Sequence, residues 1–281
     1  MKCDISSNIN SYISNETWRL IIDDKPQTAA MNMAIDEAML MAHKKHNLPP
    51  TLRLYQWEKP TLSIGYFQRV ERDIDMQAAD RYNIDLIRRI SGGRAVLHNN
   101  ELTYSIVIAE SHPNIPKGVT ESYRYLSQGL LKTLELLEID AELAKNSCNL
   151  REHSAACYDT PSWYELLVAG KKLIGSAQVR KQGAILQHGS IPFELDIDLL
   201  FSILKFKNEL VRERMKQRFK AKATALVDIN KKGYNIKDLQ SAIVKGFNET
   251  IAKDLTDGSL TDKEILLAKY LASTKYVDMK K

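Results

Sequence analysis

Hydrophobic positions along the chain repeat first at a helical period and then at a strand period. From Thr28 to about His46, the residues Met31, Ala34, Ile35, Ala38, Met39 and Ala42 recur at helical spacing, which leaves Asp36 and Glu37 on the other face. Pro49-Pro50 ends that helix. Leu52, Leu54 and Gln56 alternate with Arg53, Tyr55 and Trp57, and Thr61–Tyr66 follows Pro60; both segments read as strands. A short helix is expected over 74–82 and a strand over 84–90, ending in Arg88-Arg89. Ser91-Gly92-Gly93-Arg94 then reads as a turn whose two glycines are both free to take positive φ. Leu102 to Ala109 is β-like, Ser111–Gly118 is a proline-marked loop, and Val119 to Leu137 is helical. A long connection follows over 145–162, of a length that tends to be functional. Trp163–Val168, Lys171–Arg180 and Gly183–Ile191 read as three consecutive strands, with Ala169-Gly170 as a tight turn. The remainder is helical in pattern, at 196–204, 206–220, 235–252 and 261–275. Strands and helices intermingle without regular βαβ alternation or internal repeat, so the fold class is α+β.

Composition narrows the class. With 281 residues, 44% hydrophobic and 27% charged, the chain is neither disordered nor collagen-like and is long enough to bury a core without staples. It has no run of eighteen apolar residues and no apolar stretch in its polar first twenty, so neither a membrane span nor a signal peptide is expected. Three cysteines, Cys3, Cys148 and Cys157, are too few for a disulfide framework and point to free thiols in a reducing, cytoplasmic compartment. Forty Lys and Arg against 35 Asp and Glu give a net charge of +5, which suits an acidic protein partner. No RNP-like aromatic motif or arginine-rich arm accompanies that charge, so nucleic acid is not expected as a partner. The basic run Arg212–Lys222 is most simply the wet face of a helix.

Three segments could carry chemistry. Cys157 stands among small and polar residues in His153–Asp159, the exposure that a nucleophilic thiol needs; an inert buried thiol is the plain alternative. A free thiol of pKa ~8.5 is only a few per cent thiolate at neutral pH, so a catalytic one requires a nearby cation. Lys171 and Lys172 are adjacent on an expected strand, so one is solvated and the other faces the working side of the sheet. Gly175 and Ala177 share a face with little bulk, leaving room beside it for a ligand. In Arg88–His98 the paired glycines free backbone N–H groups to point at an anion or carbonyl, with arginines alongside; a plain hairpin turn explains the same residues. His98, His112, Cys148, His153, Cys157 and His188 lack CxxC or HExxH spacing, so no metal is expected. The serines lie in no GxSxG elbow.

Taken in order, these blocks resemble the lipoate/biotin protein ligase superfamily, and within it the octanoyltransferase branch of the LipM type. The resemblance is carried by Leu62–Gln68, Arg88–His98, Glu101–Ser105, Cys157–Glu165, Gly170–Gln178 and Gln187–Ile191, and runs from Trp18 to about residue 250. It implies a mixed, largely antiparallel sheet flanked by helices. The chain is read as a flexible lead over 1–16, a catalytic domain over 17–253 and a helical tail over 254–281. The resemblance also implies a reaction in which octanoyl passes from acyl carrier protein to a lysine of a lipoyl-accepting domain, typically the glycine cleavage H protein, through a cysteine thioester.

The residues match position by position. The family nucleophile falls on Cys157 in Cys-Tyr-Asp-Thr-Pro-Ser, and the family lysine on Lys172 in Gly-Lys-Lys-Leu-Ile-Gly-Ser-Ala-Gln, with Lys171 outside the role. On this reading the Lys172 ammonium stabilises the Cys157 thiolate, and backbone N–H groups near Gly175, Ser176 and Ala177 hold the oxyanion. Arg88, Gly92, Gly93, Arg94 and His98 line the mouth of an acyl tunnel. Neither ATP nor metal is required, and a monomer is expected. The alternatives are an amidotransferase between lipoyl domains and an ATP-dependent lipoate ligase. The ligases usually carry three glycines after the arginine pair, where this chain has Gly92-Gly93-Arg94.

Overall fold

The computed structural model describes residues 14–45, 47–144, 165–229, 232–277 and 279. In chain order the strands are β1 (Ser14–Ile22), β2 (Thr51–Tyr55), β3 (Thr61–Ile64), β4 (Asp85–Arg88), β5 (Val96–His98), β6 (Glu101–Ala109), β7 (Ala141–Leu143), β8 (Leu166–Val168), β9 (Lys171–Lys181), β10 (Ala184–Pro192) and β11 (Ala252–Asp257). The helices are α1 (Ala29–Lys45), α2 (Val70–Asp73), α3 (Met76–Arg81), α4 (Val119–Leu126), α5 (Gln128–Leu136), α6 (Ile197–Ile203), α7 (Glu209–Lys222), α8 (Leu226–Ile229), α9 (Ile236–Asn248) and α10 (Asp262–Thr274).

One sheet runs β11-β1-β2-β6-β10-β9-β8-β7, parallel from β11 to β2 and antiparallel from there on. A second, smaller sheet runs β4-β3-β5. Alternation along β6 explains how the layers stack. Leu102, Tyr104, Ile106 and Ile108 point into a core completed by Leu130 and Leu134 of α5 and Ile243 and Phe247 of α9. Val107 points the other way, into the core of α1 and α10, and the polar Thr103 and Ser105 share its face. The small sheet makes a third core with Ala78 of α3, Phe201 of α6 and Phe219 of α7. Ala169 and Gly170 both take left-handed φ, at 48° and 74°, as a two-residue hairpin between β8 and β9 requires.

The structure departs from the sequence pattern at several places, the first being the expected lead over 1–16, whose residues from Ser14 onward belong to β1 and pair with β11. Asp36 and Glu37 are not on a solvent face: both are at most 2% exposed, because α1 is enclosed by the large sheet, the small sheet and α10. Gly93 has a positive φ of 96°, whereas Gly92 does not. The helical pattern of Val119–Leu137 is two helices broken at Ser127. Finally, the expected tail is part of the domain. β11 crosses residue 254 and pairs with β1, and α10 packs on α1, so a boundary at 253 would cut a strand. The polar sequence of β11 shows only edge-strand burial, which is why its periodicity is silent.

Burial of the α1 carboxylates is offset by cations. Arg53, 0% exposed, is held by Asp23 at 2.7 Å, Asp36 at 3.0 Å and the Asn32 side chain at 2.8 Å. Glu37 takes Lys275 at 2.6 Å, the Tyr276 hydroxyl at 2.7 Å and Lys181 at 3.1 Å, tying the end of the chain to α1. Burial pushes the Asp36 carboxyl up, but the His188 hydrogen bond, the Arg53 guanidinium and the Ser105 hydroxyl outweigh it and hold the group below its ordinary value. A carboxylate with a depressed folded pKa stabilises the fold above its unfolded pKa, and that stabilisation is lost as pH falls through the folded value. Arg53→Met is therefore expected to cost about 3–5 kcal/mol, since it strands two carboxylates. Asp36→Asn is expected to flatten the loss of stability below about pH 4. Denaturant melts taken from pH 7 to pH 3 check both.

Candidate active site

The inner face of the large sheet carries the site. Register places Tyr55, Thr103, Ser190 and Gly175 in one row across β2, β6, β10 and β9, and Arg53, Ser105, His188 and Ala177 in another row two residues along. The small sheet lies over these rows, and a narrow cleft opens between the two, lined from the small sheet by Ser63, Arg89, Gly93, Val96 and His98. Met33, Tyr55 and Trp57 line it from α1 and β2, and Gly175, Ser176, Ala177 and His188–Ser190 from β9 and β10. The lining spans three strand spacings from β9 to β2, about 14 Å. Small residues keep it open: a Cβ on Gly189 would lie 2.6 Å from the Gly175 carbonyl oxygen.

Two histidines in the lining are fixed at both ring nitrogens. His98 Nε2 lies 2.7 Å from Ser63 Oγ and its Nδ1 3.0 Å from Glu101. Its ring stacks on Trp57 at 4.2 Å. Glu101 is further held by Trp57 Nε1 at 2.9 Å and by the hydroxyls of Thr103 and Ser190. His188 Nε2 lies 2.6 Å from Ser91 Oγ and its Nδ1 3.1 Å from Asp36, so the start of the glycine turn is pinned to β10 and α1. Tyr104 donates to Ser176 Oγ at 2.6 Å, and burial pushes its phenol up to about 12, which keeps it a neutral donor.

Of the residues singled out in the sequence, His98, Gly93, Gly175, Ser176 and Ala177 line the cleft. Arg88, Gly92 and Arg94 are not in the lining. Arg88 instead donates to the carbonyls of Gly65, Tyr66 and Gln68, and it is Arg89 that reaches the cleft, donating to the Ser63 carbonyl at 2.9 Å. The alternation of a strand decides between the two arginines, and the sequence does not say which face is inward. Lys171 is exposed, while Lys172 is 3% exposed and paired with Glu165, itself 1% exposed. Cys157, with Cys148 and His153, lies outside the described residues. Among the described residues no group of three His, Cys, Asp or Glu could hold a metal ion. Glu165, Trp57, Glu101 and His188 were not given roles from sequence. Their signal is a polar or aromatic residue placed within or beside the motif blocks, and only burial converts it into a site.

The comparisons agree with this geometry. The model of the lipoyl protein ligase A/B catalytic domain matches residues 28–248. The chain belongs to that family. It is 46% identical to an octanoyltransferase LipM of Anoxybacillus flavithermus, covering 94% of this chain and 97% of that one. It is 43% identical to the octanoyltransferase LipM of Bacillus subtilis strain 168, with the same coverage of each. Among solved structures it is similar to a bipartite lipoate protein ligase of Thermoplasma acidophilum, with TM-score 0.78 and 25% identity over 93% of this chain and 94% of that one. It is also similar to a lipoate-protein ligase A bound with ATP, with TM-score 0.75 and 26% identity over 92% and 96%. The sheet topology is thus the ligase fold, and the chain is an enzyme of the acyltransferase kind that its octanoyltransferase relatives represent.

Proposed function

We propose that this enzyme transfers octanoyl from acyl carrier protein to a lysine of a lipoyl domain, the glycine cleavage H protein being the expected acceptor, in the cytoplasm and through a thioester on Cys157. The relatives named octanoyltransferase support the octanoyl group and its use in lipoate biosynthesis. The observation that carries the local chemistry is Lys172, a lysine buried at 3% exposure three residues from the Gly175–Ala177 edge of the cleft. A buried cation of this kind is suited to stabilising a thiolate brought alongside it. The thiolate attacks the donor thioester, phosphopantetheine leaves as its thiolate, and one thioester replaces another without ATP or metal. The acceptor amine then displaces the enzyme thiolate and forms an amide, its proton passing to the released thiolate. Each methylene buried in the cleft contributes about 0.8 kcal/mol, so the cleft's depth selects chain length.

One assay tests this. Octanoyl-acyl carrier protein and H protein are mixed with the enzyme, with and without ATP, and the acceptor is weighed by mass spectrometry. Octanoylation independent of ATP is expected. Transfer only from free octanoate and ATP would make the enzyme a ligase, and transfer only from octanoylated H protein would make it an amidotransferase.

A further inference from the structure

One proton of the second half-reaction finds no acceptor in the cysteine–lysine pair. The attacking lysine is an ammonium near neutral pH, with an ordinary pKa of about 10.4, so it must lose one proton before it attacks and another as the amide forms. The released thiolate takes the second. Lys172, an ammonium paired with Glu165, has no lone pair to take the first. The cleft wall holds a chain of groups that can. Glu101, 4% exposed, accepts from Trp57 Nε1 and from the hydroxyls of Thr103 and Ser190, and among the described residues no lysine or arginine pairs with it. With both oxygens supplied by donors it acts as an acceptor only, which puts a proton on His98 Nδ1, 3.0 Å away. His98 Nε2 then offers its lone pair to the Ser63 hydroxyl at 2.7 Å. Ser63 Oγ accepts in turn from Arg89 at 3.1 Å, and one of its lone pairs remains. Ser63 and His98 both line the cleft. They stand at the Lys172 end of the sheet, since Glu101 lies opposite Pro192 of β10 and Ser190 opposite Gly175 of β9, three residues from Lys172.

We propose that Ser63 and His98 take the first proton from the acceptor lysine. The ammonium donates to Ser63 Oγ while the Ser63 hydroxyl proton passes to His98 Nε2, which leaves a neutral amine and an imidazolium; the imidazolium later yields its proton to water. Glu101 is the counter-ion of that imidazolium, a buried carboxylate otherwise met only by neutral donors. Ser91, His188 and Asp36 form a similar chain, but Asp36 already faces the Arg53 guanidinium and Ser91 is not in the lining. The other charged or titratable groups about the His98 ring are Arg89 beyond Ser63, Tyr55 across the cleft, and the exposed Glu58 and Lys59 in a hollow on its far side. This inference rests on the thioester reading of Cys157.

The test isolates the second half-reaction. Wild-type enzyme, His98→Gln and Ser63→Ala are loaded from octanoyl-acyl carrier protein, then mixed with H protein or with hydroxylamine, and loss of the adduct is followed by intact-protein mass spectrometry from about pH 6 to pH 9. Near pH 7, transfer to H protein is expected to fall about 10²-fold or more in both variants, whereas hydroxylamine, already neutral there, should release octanoyl at close to the wild-type rate. In the variants transfer should climb about ten-fold per pH unit with the free amine, while wild type levels off at a lower pH. Unchanged transfer to H protein, an equal loss with hydroxylamine, or one pH profile shared by all three enzymes would overturn the assignment. Failure of both variants to take up octanoyl would make the pair structural and overturn it as well. Wild-type enzyme that carries no adduct would overturn the thioester reading and this one with it.

Discussion

Replacement of Cys157 by serine is expected to abolish the octanoyl adduct that forms when the enzyme meets octanoyl-acyl carrier protein without an acceptor. In wild type the adduct adds one octanoyl mass and is released by hydroxylamine at neutral pH, as a thioester is. A serine hydroxyl at the same place is almost wholly protonated and lacks the nucleophilicity of sulfur, so it should not be acylated at a useful rate even though an oxygen ester lies downhill from the donor thioester. Turnover should fall to background along with the adduct. Intact-protein mass spectrometry reads the result directly. An adduct that persists in Cys157→Ser and disappears in Cys148→Ser would place the nucleophile on Cys148.

Loss of Lys172 is expected to act twice, on rate and on stability, and the two effects are separable. Lys172→Ala removes the cation assigned to the thiolate and should lower kcat/KM by about 10²–10⁴ while slowing alkylation of Cys157 near neutral pH. It also leaves the Glu165 carboxylate buried without its cation, at a cost of about 3–5 kcal/mol. The double variant Lys172→Met/Glu165→Leu replaces the pair by apolar groups of similar size, and should recover most of the stability because no charge is left uncompensated. It should recover none of the activity. Regained activity would show Lys172 to be structural only. Lys171→Ala should alter neither quantity much, since that side chain is exposed.

Much of the site was legible in the chain because it is built from local signals. The glycine turn and the Gly175–Ala177 face are short motifs whose backbone requirements are visible in residue type. Choosing Lys172 over Lys171 needed the family motif as well as strand alternation. Choosing between Arg88 and Arg89 failed for want of any such guide: the two differ only in which side of β4 they leave from, and Arg88 is spent on three carbonyls of the neighbouring loop. The α1 carboxylates were misread for a related reason. Helical periodicity finds the most apolar face, but a helix enclosed on every side has no wet face, and Asp36 and Glu37 are buried because Arg53 and His188 on one side and Lys275 and Tyr276 on the other come to them from distant segments.

Most strands and helices from Thr51 to Pro192, though not α2, β5 or β7, the α+β class and the membership of the family are carried by short-range periodicity and contiguous motifs, which need no knowledge of what packs where. The chain's folding in space decided the rest. It joined the C-terminal strand and helix to the first strand and first helix, gave the buried Asp36 and Glu37 their cations, and laid the small sheet over Gly175 and Ser190 to make a cleft. The longest of those pairings, β1 with β11 and Glu37 with Lys275, join residues more than two hundred positions apart. A pattern read along the chain records which side chains prefer burial, but not which partner will meet them there.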